Sequence, residues 1–174
     1  AQSGEHVLLK QLNERIRAVM ALDSSAIAVI FKGRKITWGE LRLGVEACDR
    51  TITEAGLAAG AKIGCLLRNS AQHLTPIISA LTTERCLVTL NPHLPDERLA
   101  EDIREMRCPI VFAASRDWER PAIVQAMRDV GAVGISLGDD WSQLASPVPS
   151  LPTKVDASKF ESAKTVAIYM LTSG

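Results

Sequence analysis

Apolar residues are distributed along the chain in two patterns, short continuous runs and helical stripes. Continuous runs at 63–67, 86–90, 110–113 and 132–137 predict buried strands, and the segments between them repeat apolar residues at helical spacing. Strands without polar alternation need cover on both faces. The pattern therefore predicts an α/β fold, with a mostly parallel sheet covered by helices.

The first fifty residues predict a helix, a hairpin and a second helix. One amphipathic helix is expected over about 5–22, with one apolar stripe packed onto the rest of the chain. That stripe consists of Leu8, Leu12, Ile16 and Val19. A short hairpin over about 26–37 follows. Thr37 and Glu40 then form a capping-box signature, and Gly56 supplies the stop of the second helix.

Three further helices are predicted after the strands. Asn69 or Ser70 caps a helix in which Pro76 is tolerated only in the first turns. Its buried stripe is expected to be Leu74, Ile77, Ile78 and Leu81. After the Asn91-Pro92 turn, Leu99, Ile103 and Met106 mark the next helix, and 117–130 forms another with Pro121 as an early constraint.

The last part of the chain lacks a regular pattern until its final strand. Pro147, Pro149 and Pro152 interrupt any element between 138 and 165, which predicts a long surface connection. An apolar run over 166–171 then returns to the sheet. Residues 1–4 are expected to be disordered or to remain from processing, trimming or a tag.

Composition restricts the classes of function. The chain of 174 residues is about one domain long, and 47% of it is apolar, enough for a real core. Twenty basic residues balance twenty acidic ones, so no overall field attracts nucleic acid or anionic membrane. No run is long enough to span a membrane and no signal-peptide pattern is present, so we expect a cytoplasmic protein.

The residues that could carry chemistry are scattered. Cysteines 48, 65, 86 and 108 form no C-x-x-C pair, and the three histidines supply no metal-ligand spacing, so no metal site is predicted. The cysteines are expected to be small buried hydrophobes, and His73 and His93 to lie on helix and turn surfaces. Lys32, Arg34 and Lys35 fit a solvated hairpin tip better than a phosphate patch. Arg68, at a strand end, fits an ion pair better than a contact with a ligand.

The end of the chain gives the most specific signal. A buried strand leads into Thr172, Ser173 and Gly174, and hydroxyls with glycine after a strand are how a phosphate-binding loop begins. With the segments 37–41, 63–70 and 90–95, in this order, the ending resembles the N-terminal part of the adenylate-forming superfamily. That superfamily contains acyl- and aryl-CoA ligases, luciferases and peptide-synthetase adenylation domains. The likeness runs from about residue 26 to residue 174.

The resemblance implies an ATP-dependent acid:thiol ligase. Such an enzyme joins a small-molecule carboxylic acid to the α-phosphate of ATP with Mg²⁺, expels pyrophosphate and passes the acyl group to CoA. Thr172, Ser173 and Gly174 match the start of the ATP phosphate loop. The superfamily's later lysines and Mg²⁺-holding glutamate have no counterpart in 1–174, so no catalytic residue is assigned. We expect this chain alone to be inactive and to hold none of these cofactors.

Alternatives remain open from the sequence. Asn91 favours the CoA ligase branch, whereas 95–99 (Pro-Asp-Glu-Arg-Leu) resembles domains that activate amino or aryl acids for a carrier protein. A non-catalytic α/β module that binds a nucleotide or a partner is a further class, although G-x-G-x-x-G and a complete P-loop are missing. Apolar surface left exposed in such a fragment would support a homodimer.

Overall fold

The computed structural model describes residues 2–163 and 168–171. The helices in this part of the chain are α1 (Gln2–Leu22), α2 (Trp38–Glu54), α3 (Leu74–Thr82), α4 (Asp96–Met106), α5 (Ser115–Trp118) and α6 (Pro121–Val130). The strands are β1 (Ile27–Phe31), β2 (Arg34–Thr37), β3 (Lys62–Leu66), β4 (Cys86–Leu90), β5 (Ile110–Ala114), β6 (Val133–Leu137), β7 (Ala145–Pro147) and β8 (Ile168–Met170).

The central sheet has the strand order β7-β6-β5-β3-β4-β8. Its neighbours pair in parallel, except that β7 is antiparallel to β6. Strands β1 and β2 form a separate antiparallel hairpin. The predicted α/β class with a mostly parallel sheet is confirmed.

Helices cover the sheet on both faces, and each face has its own core. Along β3, Ile63 and Cys65 join the cluster under α2, whereas Leu66 joins the cluster under α4 and α6. Side chains alternate in this way because successive residues of a strand point to opposite faces. The two clusters explain why the strand sequences are apolar without interruption.

Helix α2 begins where its capping box predicts. Thr37 Oγ1 accepts a hydrogen bond from the Glu40 amide at 3.2 Å, and Glu40 Oε2 accepts one from the Thr37 amide at 3.0 Å. After α2 the chain reverses at Gly56, whose φ of +88° suits a residue without Cβ. The buried apolar stripe of α2 contains Leu41, Val45, Cys48 and Ile52, and Ala55 just after the helix is also buried.

Helix α1 is oriented differently from the prediction. Leu8, Leu12 and Val19 of the predicted stripe are 66%, 44% and 45% exposed, whereas Asn13 and Met20 are buried. Arg17 donates to the carbonyl oxygen of Thr82 at the end of α3, a tertiary contact that apolar spacing does not encode. Helix α1 begins at Gln2. Ala1 lies outside the described residues.

The predicted stripe of α3 is only half-buried. The buried residues of α3 are instead Pro76 and four small or hydroxylated ones, Thr75, Ser79, Ala80 and Thr82. Close packing between α2 and α3 explains why small residues occupy these positions. An added Cβ at Gly44 would lie 2.7 Å from Thr75 Cγ2. Thr75 Oγ1 is satisfied by donating to the Gln72 carbonyl at 2.7 Å. Pro76 falls in the first turn, where it is tolerated.

Two predicted segments are divided in the structure. The helix expected over 117–130 is α5 and α6, because Pro121 starts α6 and holds Arg120 extended at φ −87° and ψ 109°. The part of this connection that the structure describes, 138–163, carries β7 and two short 3₁₀ turns. Four apolar residues of this connection, Trp141, Leu144, Val148 and Leu151, are buried in the two cores. The prolines of the segment gave no indication of this burial. No helix among the described residues is long and apolar enough to cross a membrane.

Candidate functional site

The parallel strands end along one edge of the sheet. Open parallel sheets bind ligands at this carboxyl edge. Strand β8 lies beside β4, with Met170 opposite Thr89, so the chain leaves β8 at the same edge. Thr172, Ser173 and Gly174 lie outside the described residues, as does the start of the strand predicted over 166–171. Their role as the start of a phosphate loop therefore stays a prediction.

The turn after β4 is next to β8 and is locally fixed. Asn91 Oδ1 accepts a hydrogen bond from the His93 amide at 2.9 Å, which closes an Asx-type turn. His93 is exposed there, as predicted. Pro92 is buried and Pro95 precedes α4 in an extended conformation, so these residues position the chain and offer no reactive group.

Arg120 holds this turn from the other side. Its guanidinium donates to the carbonyl oxygens of Pro92 and Leu94, at 2.9 and 3.1 Å. It also forms an ion pair with Asp96 at 2.6 Å. No pattern in the sequence indicates this role of Arg120, because its partners are more than twenty residues away and carbonyl partners leave no sequence signal.

Arg68, which follows β3, and Asp117, in α5 after β5, form an ion pair. Arg68 Nε and Nη2 donate to the two carboxylate oxygens of Asp117 at 2.8 and 2.6 Å, and Asp117 is fully buried. The hydrogen bond to Asp117 raises the pKa of Arg68. Arg120 Nη1 also lies 3.4 Å from Asp117 Oδ1. The prediction that Arg68 forms an ion pair is confirmed.

His73 is not on the surface, and the prediction for it is wrong. It is 3% exposed, in a 3₁₀ turn packed behind the carboxyl edge, and its Nδ1 lies 2.6 Å from Ser70 Oγ. Burial lowers the pKa of His73, and the charge of Asp117 opposes this effect. The one sequence signal for this contact is that Ser70 and His73 are one helical turn apart.

A crevice opens between the ends of β3, β5 and β6. The helices that follow β3 and β5 lie on opposite faces of the sheet, and such a switch point leaves space between the two loops. The resulting cleft has a volume of about 320 Å³. Its polar and charged lining includes Lys32, Arg68, Ser70, Ser115, Arg116 and Asp139. Lys32, predicted to lie at a solvated hairpin tip, is exposed and also borders this cleft.

The described part of the chain contains neither a metal site nor a reactive thiol. No group of three or more His, Cys, Asp or Glu residues there could hold a metal ion. The four cysteines are buried and unpaired, as predicted. Burial raises the pKa of Cys48 and of Cys108 to about 12, so neither thiol is a nucleophile in the folded protein.

The parallel sheet and its edge define an α/β domain that presents loops at strand ends. The AMP-binding enzyme family matches residues 17–174. The chain therefore belongs to this family of adenylate-forming enzymes.

Curated relatives are distant and much longer. One of the linear gramicidin synthase proteins of Brevibacillus parabrevis is 23% identical over 165 residues, which cover 95% of this chain and 3% of that protein. Tyrocidine synthase 2 from the same organism is 29% identical over 85 residues, 49% of this chain and 2% of that protein. The chain thus spans only a few per cent of the length of these relatives.

Solved structures share the fold. ATP-bound MatB from Rhodopseudomonas palustris has a TM-score of 0.64 and 19% identity, with 82% of this chain and 29% of that chain covered. The anthranilate CoA ligase AuaEII in complex with anthranoyl-AMP has a TM-score of 0.65 and 16% identity, covering 95% and 31%. The described fold is that of the N-terminal domain of adenylate-forming ligases.

Proposed function

We propose that the chain is part of an enzyme that activates a carboxylic acid as an acyl-adenylate and transfers it to a thiol. The observation that carries the proposal is the course of β8, which runs parallel to β4 toward the carboxyl edge and leads to Thr172, Ser173 and Gly174. In a chain matched to the AMP-binding enzymes over 17–174, this is where a phosphate loop would begin.

The chemistry explains why that loop is needed. Adenylation brings a carboxylate against a polyphosphate, so the site must neutralise charge with backbone donors, hydroxyls and Mg²⁺. In the proposal, Thr172, Ser173 and Gly174 contact ATP, while Mg²⁺ is held by residues that this chain does not supply. The role of the described residues is to fix the edge from which the loop starts.

CoA is our first proposal for the acceptor. Asn91 at the start of the turn fits the CoA ligase branch, and AuaEII, a structural neighbour, is named as an anthranilate CoA ligase. Amino-acid activation for a carrier protein is the second candidate. The residues 95–99 favour it, and so do curated relatives named as synthases of tyrocidine and linear gramicidin.

Acid-dependent exchange of radiolabelled pyrophosphate into ATP tests the activation step. The complete gene product and the 174-residue chain are assayed side by side with fatty, aryl and amino acids. We expect exchange by the complete protein with one class of acid and none by the chain. Exchange by the 174-residue chain would show that we have assigned the active site to the wrong part of the protein. No exchange by a folded complete protein would remove the ligase assignment.

A matched pair of variants tests the phosphate loop. In the complete protein, Ser173→Ala should lower exchange about 100-fold, the usual effect of removing one preorganised donor. Ser158→Ala, on an exposed turn where the hydroxyl donates to Asp156, should leave exchange unchanged. Equal activity of the two variants would remove Ser173 from the site. Mass spectrometry with CoA and with a pantetheinyl carrier protein then identifies the acceptor.

We also propose a homodimer through the exposed face of α1. Leu8, Leu12 and Val19 leave an apolar stripe that the described residues do not cover. Light scattering should give twice the monomer mass, and Leu8→Lys with Leu12→Lys should restore the monomer. A monomeric unmodified chain at high concentration would refute the dimer.

A further inference from the structure

We propose that the crevice between β3, β5 and β6 is a binding site for a phosphate group, carried by inorganic phosphate, pyrophosphate or a phosphomonoester. It is separate from the predicted ATP loop. Strand β8 is two strand spacings from β3 in the sheet, about 10 Å, and the crevice lies on the opposite side of β3. The proposal does not depend on acid activation, because it concerns other residues.

Three cationic side chains from three segments border the crevice. Lys32 comes from the tip of the β1–β2 hairpin, Arg68 follows β3 and Arg116 follows β5. Among the described residues, Lys32 and Arg116 make no ion pair with a carboxylate. Lys32 lies over the Phe31 ring, 5.3 Å from its centroid. Two positive charges are thus free to meet an anion.

Arg68 supplies a preorganised hydrogen-bond donor, although Asp117 neutralises its charge. The two hydrogen bonds to the buried carboxylate of Asp117 fix the guanidinium, and the side chain is only 12% exposed. Its Nη1 has no hydrogen-bond partner among residues 2–163 and 168–171, and it is not a buried atom. A fixed donor with free N–H groups at a cleft costs little entropy when it binds an oxyanion.

Neutral donors complete the lining. The hydroxyls of Ser70 and Ser115 and the amides of Asn69 and Gln72 border the same cleft. Asp139 is the one carboxylate among the lining residues, and it is exposed and accepts a hydrogen bond from Gln72 at 3.3 Å. Because Asp117 neutralises Arg68, the two unpaired cations Lys32 and Arg116 face the single lining carboxylate of Asp139. Donors that converge from several elements suit a tetrahedral phosphate better than a planar carboxylate.

The test titrates the ¹⁵N-labelled chain with phosphate, pyrophosphate, AMP and acetate at constant ionic strength. We expect saturable amide shifts at Arg68, Ser70, Arg116 and Gly138 with at least one phosphate compound, and the tightest compound identifies the source of the phosphate. Acetate should bind far more weakly. Absence of saturable shifts at these residues, or acetate binding as tight as phosphate, would overturn the proposal.

Matched charge-removal variants separate a site from general attraction. Lys32→Ala with Arg116→Ala should weaken binding about tenfold, since charge-assisted hydrogen bonds are lost. Lys35→Ala with Arg50→Ala removes the same charge from exposed positions outside the crevice and should change binding less than about twofold. Equal weakening by both pairs would refute the site. Circular dichroism checks that the variants fold. If a variant unfolds, the amide shifts of the unmodified chain alone show whether phosphate binds in the crevice.

Discussion

At the scale of single residues, Asp117 links three loops of the carboxyl edge. Its carboxylate accepts two hydrogen bonds from Arg68, and Arg120 reaches it while also holding the turn after β4. Such cations offset the desolvation cost of a carboxylate that has no solvent contact. The sequence predicts that Arg68 forms an ion pair, but a partner 49 residues away has no local signature.

Removal of the Asp117 carboxylate should destabilise the chain strongly. Asp117→Ala leaves Arg68 without its partner in a nearly buried position, so we expect a loss of about 3 kcal/mol in the free energy of unfolding. Asp129→Ala is the matched control, because it breaks an ion pair with Arg104 whose side chains are 41% and 44% exposed. Urea denaturation should show little change for the control. Similar midpoints for both variants would contradict the structural role of Asp117.

His73 should make stability depend on pH. Burial lowers its pKa in the folded chain below the ordinary value of 6.5, so the unfolded chain binds the proton more readily. Stability is therefore retained above about pH 6.5 and falls with the pH, by up to about 1.4 kcal/mol per pH unit. Urea unfolding of the unmodified chain and of His73→Gln between pH 7.5 and 5.5 checks this. An unchanged difference between the two proteins over this range would show that His73 does not titrate in this way.

At the scale of elements, local signals were predicted well and tertiary contacts were not. The capping box of α2 and the continuous apolar strands depend on neighbouring residues, and both are found as predicted. The buried face of α1 depends on which helix lies opposite, and the apolar spacing indicated the wrong face there. In α3 the predicted Leu74, Ile77 and Ile78 do pack against the core, but they are only half-buried. The same limit applies to the crevice, because its lining comes from four separate segments. The sequence predicts only where the strands end, and therefore only the edge of the sheet at which the crevice lies.

The contact between α2 and α3 gives a test at this scale. Gly44→Ala would place a Cβ 2.7 Å from Thr75 Cγ2 and 2.9 Å from Leu144 Cδ2, and both neighbours are buried. Overpacking should outweigh the better helix propensity of alanine and cost about 1 to 2 kcal/mol. Gly4→Ala in α1, with nothing within 4 Å of the new Cβ, should cost nothing in thermal unfolding. A stabilised Gly44→Ala variant would contradict the close helix contact.

At the scale of the whole molecule, one sheet joins two cores. Cys48 and Cys65 belong to the cluster under α2, and Cys86 and Cys108 belong to the cluster under α4 and α6. The sheet is the common wall of both clusters, because alternate residues of its strands enter each one. Loss of either core would therefore expose the strands that support the other, and both faces should unfold together.

The four cysteines report directly on this cooperativity. All are buried, and burial raises the pKa of each thiol, so a maleimide should label none of them rapidly in the folded chain. With increasing urea, mass spectrometry of the labelled peptides should give one common midpoint for all four, equal to the midpoint from circular dichroism. Free reduced peptides that carry the same cysteines control for intrinsic reactivity. If Cys86 and Cys108 became reactive at lower urea than Cys48 and Cys65, the face covered by α4 and α6 would unfold by itself, and the single cooperative domain would be ruled out.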